Sequence, residues 1–247
     1  MAGKLQPERT LGEKRHRRAA LMELIRIKII AEGQTEMEFC RQVLNPYFNP
    51  KGIFIESRCV QTSRNRHTIF RGGLLDYQRA KADILRWIKE EKSGEPYFST
   101  MFDLYALPDD FPGFQQAQLI ADPYQKVVFL ENALQEDIGH HKFIPYIQLH
   151  EFEALLLANP DALLLEYPDK QDAIEQLKGV VAQHQHNPEL VNEGQQTAPS
   201  KRIIRLIPEY EGNKVSAGAI LPGIDNLASA KNYCQHFREW LDRLSTL

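Results

Sequence analysis

The sequence predicts an α/β protein, a mostly parallel sheet flanked by helices on both faces and followed by a helical C-terminal extension. Three observations lead there. Short apolar runs at 24–31, 53–60, 97–102 and 143–149 alternate with segments of helical character, and strand–helix alternation of this kind favours a parallel sheet covered on both faces. Three of the four runs end by delivering carboxylates: Glu32, Asp103, and Glu151 with Glu153. Past Asn159-Pro160 the strand-like runs stop and an acidic, helical register takes over.

Chain-level properties bound the possibilities. With 247 residues of which 43% are hydrophobic, the chain fills a substantial core. It lacks a run of about 18 apolar residues and an apolar signal core after its charged start, which predicts a cytoplasmic protein with no membrane partner. Cys40, Cys59 and Cys234 are odd in number and widely spaced, fitting neither a disulfide framework nor a zinc site, and are read as buried thiols. The net charge of −3 does not advertise nucleic acid. Residues 1–21 nevertheless form a basic arm, expected to be disordered, with the α/β core over 22–158 and a mainly helical extension over 159–247.

In chain order, LIRIKIIA (24–31) alternates apolar with basic residues and then turns wholly apolar, as a strand entering an interior does. Glu32-Gly33 closes it, and Thr35 followed by Glu38 resembles a capping box for a helix ending near Asn45-Pro46. IFIESRCV (53–60) is a second strand, and the polar stretch after it carries Arg64, Arg66, His67 and Arg71. Residues 77–91 read as an amphipathic helix with Tyr77, Ile84, Leu85 and Ile88 on the apolar side. YFSTMF (97–102) runs as a strand into Asp103, and ALPDDFPGF is too rich in proline and glycine to be regular. A helix over 123–138 precedes the strand FIPYIQL (143–149), which delivers His150, Glu151 and Glu153. Beyond lie helical sequence from 161, a polar linker, a short helix at 203–210, Lys214 in a glycine-flanked loop, and a last helix on Leu227, Cys234, Phe237, Leu241 and Leu244.

In parallel sheets functional groups gather at the carboxyl ends of strands. Glu32, Asp103 and the 150–153 group would therefore meet along one sheet edge, and carboxylates crowded together repel unless a cation joins them. That convergence implies Mg²⁺ or Mn²⁺.

The stretches IIAEGQTEMEF (29–39), GGLLDYQRAKADI (72–84), TMFDLYALPDDFPG (100–113), FIPYIQLHEFEALL (143–156) and TAPSKRI (197–203) resemble the DUF4276 family of Toprim-like proteins. Toprim domains are the metal-dependent fold of topoisomerases, primases and the overcoming-lysogenization-defect nucleases. The resemblance implies the Toprim glutamate at Glu32 and the first Toprim aspartate at Asp103. Toprim proteins commonly carry Asp-x-Asp, whereas Leu104 and Tyr105 follow Asp103 here. Glu151 and Glu153 are the replacements. In an extended segment only one of the two would face a metal, and Glu153 is favoured.

The expected activity is Mg²⁺-dependent hydrolysis of phosphodiester bonds in DNA or RNA. Catalytic roles fall to Glu32, Asp103, Glu153 and Lys201, and metal ligation to Glu32, Asp103, Glu151 and Glu153. Substrate contacts fall to Arg71, His150, Arg202 and Lys214, with Arg79 and Lys81 as further backbone contacts. His150 reads either as a proton shuttle or as a hydrogen-bonded packing residue, and Asp109 and Asp110 as turn residues. The resemblance further implies a separately encoded ATPase as partner in anti-phage defence. This chain has no G-x-x-x-x-G-K-[ST] loop of its own. Two alternatives stand beside the nuclease: a non-catalytic Toprim-like subunit binding nucleic acid or a partner protein, and a phosphoryl-transfer enzyme acting on a small substrate.

Overall fold

The computed structural model describes residues 24–60, 74, 76–92, 94–192 and 194–247. The basic arm at 1–21 and the loop carrying Arg64, Arg66, His67 and Arg71 lie outside the described residues. Five strands form the sheet: β1 (Ile25–Ala31), β2 (Ile53–Cys59), β3 (Tyr97–Asp103), β4 (Phe143–Ile144) and β5 (Ile147–Gln148). Their order is β2-β1-β3, with β4 and β5 both beside β3, and every pairing is parallel. The run expected as one strand at 143–149 is split because Pro145 has no N–H to give to a ladder. At the gap the Thr100 hydroxyl replaces the missing rungs, donating to the Tyr146 carbonyl and accepting the Tyr146 N–H, each at 2.9 Å.

The helix after β1 starts earlier and runs longer than the sequence implies. Glu36, not Glu38, closes the cap by accepting the Gly33 N–H at 2.9 Å; Glu38 pairs instead with Arg41 and Gln42 on the surface. Helix α1 (Gln34–Phe39) passes through a π turn at Cys40–Leu44 into a further helical segment, Asn45–Phe48. Pro46 falls in the first turn of that segment, where a missing N–H is harmless.

Helix α2 (Tyr77–Glu90) is capped by Asp76, which accepts the Gln78 N–H at 2.9 Å. It buries Tyr77, Ala80, Ile84 and Trp87, and leaves Leu85 40% exposed, so the apolar stripe is rotated from the expected one. Helix α3 (Pro123–Ile138) begins with proline at its first position and ends at Gly139, whose left-handed φ of 67° terminates it.

The strand alternation sorts side chains onto two faces. Ile27, Ile29, Ile53, Ile55 and Met101 pack with α1 and the C-terminal helices, whereas Ile30, Phe98 and Phe102 pack with α2 and α3. Lys28 explains the basic residue inside the first apolar run. It is buried over the Trp87 ring and paired with Glu91 at 2.6 Å and Glu56 at 3.2 Å.

A third apolar cluster is built from residues 156–221, including α4 (Gln171–Gln183) and α5 (Pro199–Leu206). The short helix expected at 203–210 begins earlier because Pro199 is a favourable first residue. Lys214 is not in an open loop: a helical turn at Tyr210–Asn213 passes into a π turn, Lys214–Gly218, that begins with it. The final helix is two, α6 (Ala228–Tyr233) and α7 (Gln235–Ser245), broken where Cys234 is extended. Helix α7 docks on the sheet through Trp240, which donates to the Ser99 hydroxyl at 3.0 Å and stacks on Tyr146 at 4.3 Å. Cys40 and Cys234 are buried as expected, while Cys59 is only partly so. No helix among the described residues is long and apolar enough to cross a membrane.

Candidate active site at the switch point of the sheet

Chain order and strand order together single out one place. From β1 the chain goes to β2 on one side, and β3 then lies on the other side of β1. Crossovers diverge at the carboxyl ends of β1 and β3, the crevice where parallel sheets bind ligands. Glu32 and Asp103 stand there in direct contact. The Glu32 N–H donates to the Met101 carbonyl at 3.0 Å, and the Glu32 carboxylate accepts the Asp103 N–H at 2.9 Å.

Three more carboxylates act on this pair. Glu36 is buried at the start of α1, held over the turn by the Gly33 N–H. Glu151 and Glu153 follow β5 in a turn rather than in extended chain, and the charges of both raise Glu32 and Asp103. Glu151 accepts the Ser200 N–H from the first turn of α5 at 2.9 Å. Glu153 is buried, pairs with Lys214 at 3.1 Å and accepts from the Tyr210 hydroxyl at 3.4 Å.

The electrostatics follow from burial and crowding. Burial, then the charge of Glu36, pushes Glu32 up to about 8, against the Asp103 N–H that lowers it. Burial pushes Glu36 up to about 7, with Glu153 adding to it and Lys214 partly relieving it. Asp103 is driven well above the carboxylate range by burial and then by Glu32 and Glu36. Burial raises Glu153 while Lys214 opposes. The Lys214 ammonium is destabilised by burial, yet Glu153, Glu151 and Asp103 raise its pKa overall.

One atom shows what this arrangement lacks. Asp103 Oδ1 is buried with no hydrogen-bond partner among the described residues, a costly state for a carboxylate oxygen. Among the described residues no three His, Cys, Asp or Glu side chains already stand at metal-ligating spacing. Glu32, Glu36 and Glu151 each have one oxygen tied to a backbone N–H. An all-oxygen, anionic donor set around an orphaned carboxylate oxygen fits a hard divalent cation, Mg²⁺ or Mn²⁺. Asp103 with Glu32, Glu36, Glu151 and Glu153 are the residues that would hold it.

The other candidates are distributed around this centre. His150 adopts a left-handed φ of 62° and turns into the neighbouring cavity, where its ring lies 5.3 Å from that of Tyr105 and its Nδ1 is 3.2 Å from the Asn192 amide. Burial and Lys126 lower its pKa to about 4, leaving it neutral at pH 7. Lys201 is exposed on α5, next to the Ser200 that meets Glu151. Arg202 is buried and its Nε donates to the Thr197 carbonyl at 2.7 Å, bracing the chain that leads into α5. Arg79 and Lys81 pair with Asp76 and Asp137. Asp110 accepts the Tyr77 N–H at 3.2 Å, in keeping with its reading as a turn residue. Arg71 lies outside the described residues.

Fold and site thus define a parallel α/β protein with a buried acidic cluster at its switch point. Comparison with known proteins gives it a family: the chain matches the domain of unknown function DUF4276 over residues 31–245 and belongs to that family. No curated protein matches it, and no solved structure does.

Proposed function

We propose that the protein is a divalent-cation-dependent phosphodiesterase, a Toprim-like nuclease that hydrolyses DNA or RNA. The observation that carries the reading is Asp103 Oδ1, buried amid the charges of four other carboxylates and without a hydrogen-bond partner among the described residues. The resemblance of Glu32 and Asp103, each at the end of a parallel strand, to the Toprim glutamate and aspartate supports it. A bound Mg²⁺ or Mn²⁺ would neutralise the scissile phosphate and lower the pKa of an attacking water.

The chain's own residues supply the rest. Glu32, whose carboxylate accepts the Asp103 N–H beside the proposed cation, would hold the cation or take the proton of the attacking water. Lys214, held at the cluster's edge by Glu153, is placed to meet a phosphate oxygen. Lys201, exposed on the helix that contacts Glu151, is the side chain assigned to a polynucleotide backbone. A separately encoded ATPase that aims or restrains the nuclease completes the proposal, as the resemblance implies.

The test is incubation of the purified protein with plasmid, linear DNA and transfer RNA in Mg²⁺, Mn²⁺ or EDTA, beside Glu32→Gln and Asp103→Asn. Cleavage in either metal that disappears in EDTA and in both variants is the expected result. Cleavage that survives both substitutions, or none on any substrate, overturns the reading.

A further inference from the structure

Next in sequence to two residues of the acidic cluster lies the lining of a cavity of about 520 Å³ that the proposed hydrolysis does not use. Its lining includes Leu104 and Tyr105, which directly follow Asp103, and His150, which directly precedes Glu151. The cavity therefore opens within one residue of two of the proposed cation ligands. Its volume falls in the range of about 300–1,000 Å³ typical of small-molecule sites.

The walls have a definite chemistry. Tyr105 offers an aromatic ring that is 38% exposed and braced against His150, with Phe114 as a second aromatic surface. Gln118 brings a side-chain amide able to donate and to accept; Asn192 brings a second, which already meets His150 Nδ1 at 3.2 Å and accepts the Gly194 N–H at 2.8 Å, leaving one N–H and one lone pair; and Lys126 brings a positive charge. The His150 backbone is fixed by the Tyr105 N–H, which donates to its carbonyl at 3.1 Å. A left-handed φ at a non-glycine residue is a strained state that persists only where its surroundings impose it. Here it turns the imidazole into the cavity wall.

Flat aromatic surface, paired donor–acceptor amides and a cation, all beside a phosphate-handling centre, match a nucleobase. We propose that this cavity is the subsite for the base of the nucleotide whose phosphate lies at the acidic cluster, with the base stacking on Tyr105 and its edge read by Gln118 and Asn192. The inference rests on the phosphodiesterase reading for the place of the phosphate, and it adds that the protein engages a base and not only the backbone. Stacking on an aromatic side chain is tolerant of base identity, whereas amide contacts to a base edge are selective.

The test is titration calorimetry of the whole protein in Mn²⁺ with the four nucleoside 5′-monophosphates and with ribose 5-phosphate. At least one base should improve affinity over ribose 5-phosphate by about tenfold or more, equivalent to about 1.4 kcal/mol. Tyr105→Ala should remove most of that gain. Gln118→Ala, a change at an exposed position, should reduce it without affecting the fold, with circular dichroism checking both variants. No advantage for any base, or an advantage untouched by both substitutions, overturns the proposal. A base advantage in a protein that cuts nothing sustains the subsite and rejects the nuclease; cleavage without a base advantage does the reverse.

Discussion

Replacing Glu32 by Gln should stabilise the cation-free protein at alkaline pH while removing its response to metal. Gln keeps an oxygen to accept the Asp103 N–H, bonded at 2.9 Å in the parent, but not the charge. The Glu32 carboxyl is raised from 4.5 to about 8, so the folded chain holds this proton more tightly than the unfolded chain. Its contribution to stability is complete below about pH 4.5 and is lost as pH rises through about 8. At about 1.4 kcal/mol per tenfold change in proton affinity, that span bounds the loss at about 5 kcal/mol. Glu32 is only partly buried by area and shares the repulsion with Glu36, so about 2–3 kcal/mol is the expected gain for the variant. In a chain of this length that corresponds to a melting temperature higher by about 4–12 °C. Melting in EDTA at pH 8.5 and at pH 5 measures it: the variant should melt well above the parent at the first and close to it at the second. Mn²⁺ should raise the melting temperature of the parent at pH 8.5 by mass action and leave the variant unmoved. A variant that melts below the parent at pH 8.5 refutes the argument from repulsion.

Two further outcomes follow from other buried carboxylates. Glu189 is fully buried and accepts the N–H groups of His236 and Phe237 at the start of α7, each at 3.0 Å, together with the Tyr124 hydroxyl at 2.9 Å. Glu189→Ala strands three donors and should cost about 2–4 kcal/mol in urea unfolding, with a small effect refuting its capping role. Lys214→Met removes the cation paired with Glu153; Mn²⁺ affinity by calorimetry should rise about tenfold, a change well within the charge interaction at this distance, while cleavage falls. Weaker Mn²⁺ binding would show that Lys214 supports the cation site instead of competing with it.

Much of the sheet was legible because its signals are local. β1, β2 and β3 announce themselves by short apolar runs, and a run ending in a carboxylate marks a strand that stops at a functional edge. Glu32, Asp103, Glu151 and Glu153 were legible for that reason. Glu36 was not, because it sits inside a helix and is aimed at the cluster only by its bond back to Gly33. Its signal is the Gly33-x-x-Glu36 spacing, a capping pattern two residues earlier than the more conspicuous Thr35-x-x-Glu38. Glu189 gave no signal at all: within a polar stretch it reads as a surface charge, and its burial is decided by a helix that starts 46 residues later. The split of the last strand at Pro145 was visible in the residue itself, but the Thr100 hydroxyl that bridges the gap depends on register between strands far apart in sequence.

On the Toprim-like reading proposed above, Tyr105 stands where the Asp-x-Asp pattern has its second aspartate. An aspartate there would bring a further charge near Glu151, beside a cluster in which Glu32 is already raised to about 8 by burial and crowding. Tyr105 adds none. Its N–H ties the exit of β3 to the His150 carbonyl at the exit of β5, just before the turn that carries Glu151 and Glu153. Its ring, meanwhile, becomes a wall of the neighbouring cavity. The carboxylates that act on Asp103 come from two directions, Glu36 from α1 and Glu151 with Glu153 from after β5, while position 105 carries a ring in place of a further charge. Tyr105→Asp tests the part played by the ring, because it keeps the backbone tie and removes the ring. It should retain or strengthen Mn²⁺ binding while losing any preference among nucleoside monophosphates, and a parallel loss of both would mean that the ring itself holds the cluster together.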